Sequence, residues 1–181
     1  MRELSDKNFG IAIAYLIPGF VVLWGASYLS PTISGWLGPG GSGGEPTIGA
    51  FLYVLLGSLA AGLMVSALRW ATIDTLHHRT GVKPPSLDFS KLQEKLDAFV
   101  LVVEAYYRFY QYYSNMAVAI LIAGACRLDA LGNLGSFRVW MTSLVAEAVL
   151  LAGSRDALIR YYDRAKTLLG ERRSETAAYD D

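Results

Sequence analysis

Residues 104–124 read EAYYRFYQYYSNMAVAILIAG, from Glu104 to Gly124. Six of the eight residues from Tyr106 to Tyr113 are aromatic, five of them tyrosine, and beyond Ser114 and Asn115 the chain turns apolar. A soluble core helix spreads its aromatics along one stripe. A base-stacking surface interleaves them with more lysine and arginine. Tyrosines crowded at one end of an apolar run fit a helix passing from water into lipid, with the ring in the apolar phase and the hydroxyl at the headgroups. Tyr106, Tyr107, Tyr110, Tyr112 and Tyr113 then form an interfacial belt, with Arg108 close enough to the end to snorkel outward.

The composition agrees. Of 181 residues, 53% are hydrophobic and 18% charged, against about 25% charged in an ordinary soluble domain. The mean hydropathy is +0.32. Net charge is zero, so no overall field attracts nucleic acid or an acidic substrate. The single cysteine, Cys126, excludes an internal disulfide and a CxxC site. Between Gly10 and Leu68 the only charged residue is Glu45, and between Gln111 and Ser154 there are only Arg127, Asp129, Arg138 and Glu147.

Four apolar runs follow: Phe9–Leu29, Ile48–Leu68, Tyr106–Cys126 and Phe137–Ser154, of 21, 21, 21 and 18 residues. A bilayer core of ~30 Å needs ~20 helical residues. The expected fold is an all-α four-helix transmembrane bundle. The first run follows a neutral MRELSDK segment, contains Pro18 and has no A-x-A site after it, so it reads as a retained span and not a cleaved signal. With four spans both termini share a side. That side carries 14 of the 16 Lys and Arg residues, while the other holds Arg127 and Arg138. The positive-inside rule therefore places both termini in the cytoplasm of a cell whose inner or plasma membrane holds the chain.

The outer loop, with six glycines from Gly35 to Gly44, reads as a slack connector. It has no lysine and so no phosphate-loop pattern. The cytoplasmic segment 69–105 should continue span two as helix to about His77, turn over 79–89 at Gly81, Pro84 and Pro85, and restart at Ser90, which forms a capping-box pattern with Gln93. From Ser90 the stripe Leu92, Leu96, Phe99, Val103, Tyr106 and Tyr110 runs into span three. Beyond span four, 155–170 continues as an amphipathic helix with Leu158, Tyr161, Tyr162, Ala165, Leu168 and Leu169 on one face and Gly170 at its end. The extensions of spans three and four make a cytoplasmic stalk, each covering the other or a second copy. Residues 171–181 read as a disordered tail.

Two groups of polar residues carry the functional expectations. Glu147 stands near the middle of span four, at a depth close to Asn115, Ser58 and Pro18, and Pro18 denies the Ala14 carbonyl its helical donor. An intramembrane carboxyl costs a few kcal/mol and points to function or to helix–helix adhesion. Asp74, His77, His78, Arg79 and Lys83 form a cytoplasmic basic and histidine cluster suited to anionic headgroups. Adjacent histidines diverge by about 100° on a helix, and zinc needs three or four ligands, so neither a metal nor any other cofactor is expected. Small residues four apart, such as Gly57 with Ala61, Ser58 with Gly62, Ala119 with Ala123 and Ala148 with Ala152, allow close helix contact.

Three function classes are consistent with this. The first is a homo-oligomeric pore or channel-like protein, or a membrane effector of the same architecture. The second is a membrane anchor or accessory subunit recruiting a cytosolic protein partner through the stalk. The third, behind these, is a surface enzyme using Asp74, His77, His78 and Glu94 or Glu104. The lipid bilayer is the one partner common to all, and nucleic acid to none.

Overall fold

The computed structural model describes Gly10 and residues 12–38, 48–127 and 137–170, with side chains from Met141 onward in the last segment. The segments 1–9, 39–47, 128–136 and 171–181 lie outside the described residues, and with them most of the glycine-rich loop and the tail.

The described elements are helical. Helix α1 (Ala12–Ala26) is π-wound over Ala12–Leu16 and α-helical from Ile17. The short α2 (Pro31–Leu37) is opened by Ser30, whose hydroxyl accepts from the Ile33 amide at 3.5 Å, and by Pro31 at its first position. Helix α3 (Ile48–Arg79) runs 32 residues with a π-wound segment at Trp70–Asp74. It stops where HHRTG ends: Gly81 takes φ 98°, which a side chain resists, and Val82 N donates back to His77 O at 3.0 Å. Helix α4 (96–127) joins Leu96–Val102, a π segment Val103–Tyr107 and Arg108–Arg127. Helix α5 is Phe137–Leu169.

Two sequence expectations need correcting. The helix into span three starts at Leu96, not at Ser90. Asp88 takes the capping role: its carboxylate accepts from Ser90 N at 3.1 Å and from the Ser90 hydroxyl, so 89–91 closes as one 3₁₀ turn. As expected, α3 continues past Leu68, here to Arg79, and the added turns also pack against α5, which the expected pairing of the extensions of spans three and four did not include.

The helices alternate in direction. Asn115 of α4 meets Ala14, and Ala123 meets Gly25, so α1 and α4 run parallel. Gly62 of α3 meets Tyr15, and Gly57 meets Leu23, so α3 is antiparallel to both. Gly153 of α5 meets Tyr113, and Tyr161 meets Tyr107, so α5 is antiparallel to α4.

Close approach at glycine fixes these crossings. A Cβ at Gly19 would stand 1.7 Å from Ser58 O, one at Gly62 2.0 Å from Tyr15 O, and one at Gly25 2.5 Å from the Ala123 Cα. The interior also holds Ala14, Leu23, Val65, Ile73, Ala117, Val118, Ala119, Ala123 and a set of polar residues. Many large apolar side chains stand outside: Phe51, Leu56, Leu63 and Met64 of α3, Leu121 of α4, and Leu144 and Val149 of α5 are all more than half exposed. Helix α3 is the one described helix that is long and apolar enough to cross a membrane by length and composition, and only 17% of its apolar stretch is buried. Helix α1 is apolar but shorter.

These contacts predict a sharp contrast between glycines. Gly62→Ala is expected to destabilise the detergent-solubilised chain by about 1–3 kcal/mol, since backbone must move. Gly124→Ala, where an added Cβ meets nothing within 4 Å, should leave thermal unfolding unchanged or slightly raise its midpoint.

Candidate functional site

The expected mid-depth layer resolves into two parts. Pro18, Ser58 and Asn115 are each buried inside the bundle. Pro18 has no N–H to offer the Ala14 carbonyl, and the Asn115 side-chain amide donates to that carbonyl at 2.8 Å instead. Ser58 lies where α3 crosses Gly19. Its hydroxyl oxygen and Asn115 Oδ1 are buried without a hydrogen-bond partner. Glu147 is not with them. It lies on the flank of the bundle, in a cleft of ≈ 290 Å³ between α4 and α5 lined by Ile120, Leu121, Gly124, Ala125, Ser143 and Leu144. Its Oε1 is buried and has no hydrogen-bond partner.

A second polar cluster lies where α3, α4 and α5 leave the apolar runs. Arg69, 5% exposed, stands 3.8 Å from Asp74 and 5.1 Å from the centre of the Tyr110 ring. The Tyr110 hydroxyl donates to Asp74 Oδ1. His77, 3% exposed, meets Ser154 Oγ through Nε2 at 2.9 Å. The Ser154 hydroxyl has one proton and gives it to Leu151 O, so His77 Nε2 carries the hydrogen and donates. His78 leaves on another face, towards Tyr162 OH at 3.3 Å. Arg155 reaches back to Thr80 Oγ1 and O at 2.7 and 3.0 Å. The expected solvated basic cluster is therefore, at Asp74 and His77, a buried clamp tying three helix ends together. Arg79 and Lys83 have no part in it.

The tyrosine belt is divided too. Tyr107, Tyr110 and Tyr113 turn towards α5 and pack with Tyr161, Tyr162 and Leu158. Tyr106 and Tyr112 are half-buried at the side, and Arg108 Nη1 donates to Gln111 Oε1 at 3.2 Å. Two lysines close the far end of the stalk. Lys91 Nζ reaches Gly170 O at 3.0 Å and Lys95 Nζ reaches Leu168 O at 2.9 Å, placing positive charge on the terminal carbonyls of α5. The sequence reading missed both, because the contact spans 79 and 73 residues and leaves no periodic signal. Another basic residue, Arg127, lies 4.6 and 4.3 Å from the ring centres of Trp24 and Tyr28.

Among the described residues no three His, Cys, Asp or Glu side chains converge on one point. Asp74 accepts from Tyr110 and faces Arg69, whose Nε and Nη1 are buried without a hydrogen-bond partner among the described residues, and Glu94 and Glu104 take no part in these contacts. The cluster is thus arranged to hold helices.

Beyond the apolar run of α3, burial and then the nearby Arg155 guanidinium hold His77 below its ordinary value of 6.5, against an opposing pull from Asp74. Folding therefore favours neutral His77. Its contribution to stability is present above the unfolded value of 6.5 and lost as pH falls through the lower folded value. The unfolding midpoint is expected to fall on acidification from pH 7 to 5, and to fall less in His77→Gln; equal slopes would remove His77 from the clamp. Comparison with protein-family models, curated proteins and solved structures yields no match.

Proposed function

We propose that the chain is a four-span membrane protein, with both termini in the cytoplasm, whose copies assemble into a channel-like pore. The alternating helix directions support four crossings. So do two charged levels: Arg69, Arg108 and Arg155 group at one end of the bundle, and Arg127 with Trp24 and Tyr28 at the other. Arg108 and Arg127 are 19 residues apart on one helix, or ~28 Å, close to the ~30 Å of a bilayer core. The outward apolar side chains lie between these levels. In water they would expose a large apolar surface, whereas lipid accepts it.

The observation that carries the pore reading is the position of Glu147. Helices α1, α3 and α4 of one chain meet backbone to backbone at Gly19, Gly25 and Gly62, which leaves no room for a path between those three. The unpartnered carboxyl oxygen lies on the flank, where a second copy would complete its surroundings. A path therefore forms between copies, with Glu147 attracting cations. The second reading, an anchor for a cytosolic partner, is favoured by the stalk's outer groove, where Tyr106, Arg160, Asp163, Arg164 and Thr167 line ≈ 290 Å³.

Topology and activity are tested separately. Cys126, half-buried beside Arg127 at the outer end of α4, should react with a membrane-impermeant maleimide from the outside of intact cells and not from the inside of inverted vesicles. The opposite sidedness would overturn the orientation. The detergent-purified chain is expected to have the native mass of a defined higher oligomer and to pass monovalent cations in liposomes, with flux falling at least ~10-fold in Glu147→Gln. A monomer without flux would leave the anchor reading, tested next by charge reversal at Arg160 and Arg164.

A further inference from the structure

We propose that the flank cleft at Glu147 is a binding site for a hydrophobic amine, which enters from the lipid side and places its nitrogen against the carboxyl. The inference rests on the four-span reading and is independent of assembly into a pore.

Three observations converge on the cleft. The first is chemical. Glu147 Oε1 is a buried acceptor with no donor, and the walls beside it are Leu121, Gly124, Ala125 and Leu144, with Ser143 as the other polar side chain. Among the described residues no basic side chain lines the cleft. A carboxyl held at mid-depth gains most from a charge-assisted N–H donor, and a ligand can bring one.

The second is the floor. An added Cβ at Gly124 meets nothing within 4 Å, unlike those at Gly19, Gly25 and Gly62, which are pressed on neighbouring backbone. Glycine inside a helix costs about 1 kcal/mol relative to alanine. No contact among the described residues requires it at 124, and its absent side chain leaves room for an occupant of the cleft.

The third is extent. The lining residues span 120–125 and 143–147, about one and a half turns of each helix, or ~7 Å. The volume of ≈ 290 Å³ matches the lower end of small-molecule sites, about 300–1,000 Å³, which are mostly apolar with a few polar groups. A calcium or magnesium ion is a poor occupant, because one carboxyl and one hydroxyl fall short of the six or more oxygens such ions take. An amine with an alkyl body uses both the carboxyl and the walls.

The test uses the full chain in phosphatidylcholine vesicles, with a diazirine-bearing alkyl primary amine and the neutral alcohol of the same chain as probes. After photolysis, amine label is expected on peptides covering 120–125 and 143–147, at least ~10-fold above the alcohol label there. Glu147→Gln should abolish that excess. Gly124→Leu, which fills the cleft and keeps the carboxyl, should abolish it as well. Amine label spread evenly over the outward apolar surface, or undiminished in Glu147→Gln, would overturn the site. Alkaline carbonate extraction of the same vesicles reports on the four-span reading alone. A chain that is released refutes that reading and the site with it, whereas a retained chain without amine excess refutes only the site.

Discussion

Gly19 lies so close to α3 that a Cβ there would stand 1.7 Å from the Ser58 carbonyl oxygen and 2.6 Å from the Gly62 amide nitrogen. Such proximity is possible only where neither helix has a side chain to separate the backbones. Helix α1 is thereby seated against α3, and Gly25 seats it against α4 at Ala123. Once α1 occupies that slot, Asn115 comes within 2.8 Å of the carbonyl that Pro18 leaves undersupplied. The proline, the asparagine and the glycines thus form one device. Proline removes a donor, close packing brings a replacement, and the replacement fixes the register of α1 on α4.

This packing explains why small and polar residues hold so much of the bundle's interior while many large apolar ones stand outside. Where helices meet at glycine and alanine there is little space for a large side chain. Many large side chains of α3 therefore point away from the bundle, and Ser58, Ser114 and Asn115 are buried alongside Leu23, Val65 and Val118. In water this arrangement would be unfavourable twice over, exposing apolar area and burying polar atoms. In hydrocarbon the first penalty vanishes, and helix association relies on close packing and hydrogen bonds. Past the apolar runs the rule reverses. There α4 and α5 bury Tyr110, Leu158, Ala165 and Leu169, the ordinary pattern of an amphipathic pair in water.

The helical class and the break at Gly81 were legible from composition, periodicity and the HHRTGVKPP stretch, since these are local signals. The Ala14 carbonyl was legible as a site of need because proline chemistry is local, but its donor lay 101 residues away. Depth counting placed Glu147 level with Asn115 and could not give its angle around α5, which a one-residue rotation changes by about 100°. The tyrosine stretch misled in part for the same reason. A ring that prefers an interface also suits a half-buried helix contact, and Tyr107, Tyr110 and Tyr113 serve the second use. The lysine caps on α5 were beyond reach, since nothing in the spacing of Lys91 and Lys95 refers to Leu168 or Gly170.

Ser58, Asn115 and Glu147 all bury an oxygen without a partner, but the three are not equivalent. The first two are sealed between α1, α3 and α4, where a missing hydrogen bond costs about 1–3 kcal/mol in every state of the folded chain. For Asn115 that cost is offset by its bond to Ala14, so the residue can be retained for structure alone. Glu147 Oε1 finds no partner among the described residues, yet its cleft opens to the side. Its cost can be relieved by whatever arrives and returns when that leaves. A penalty that is constant can only set stability, while one that an occupant removes couples occupancy to the energy of the bundle. Glu147 is the one of the three in that second position.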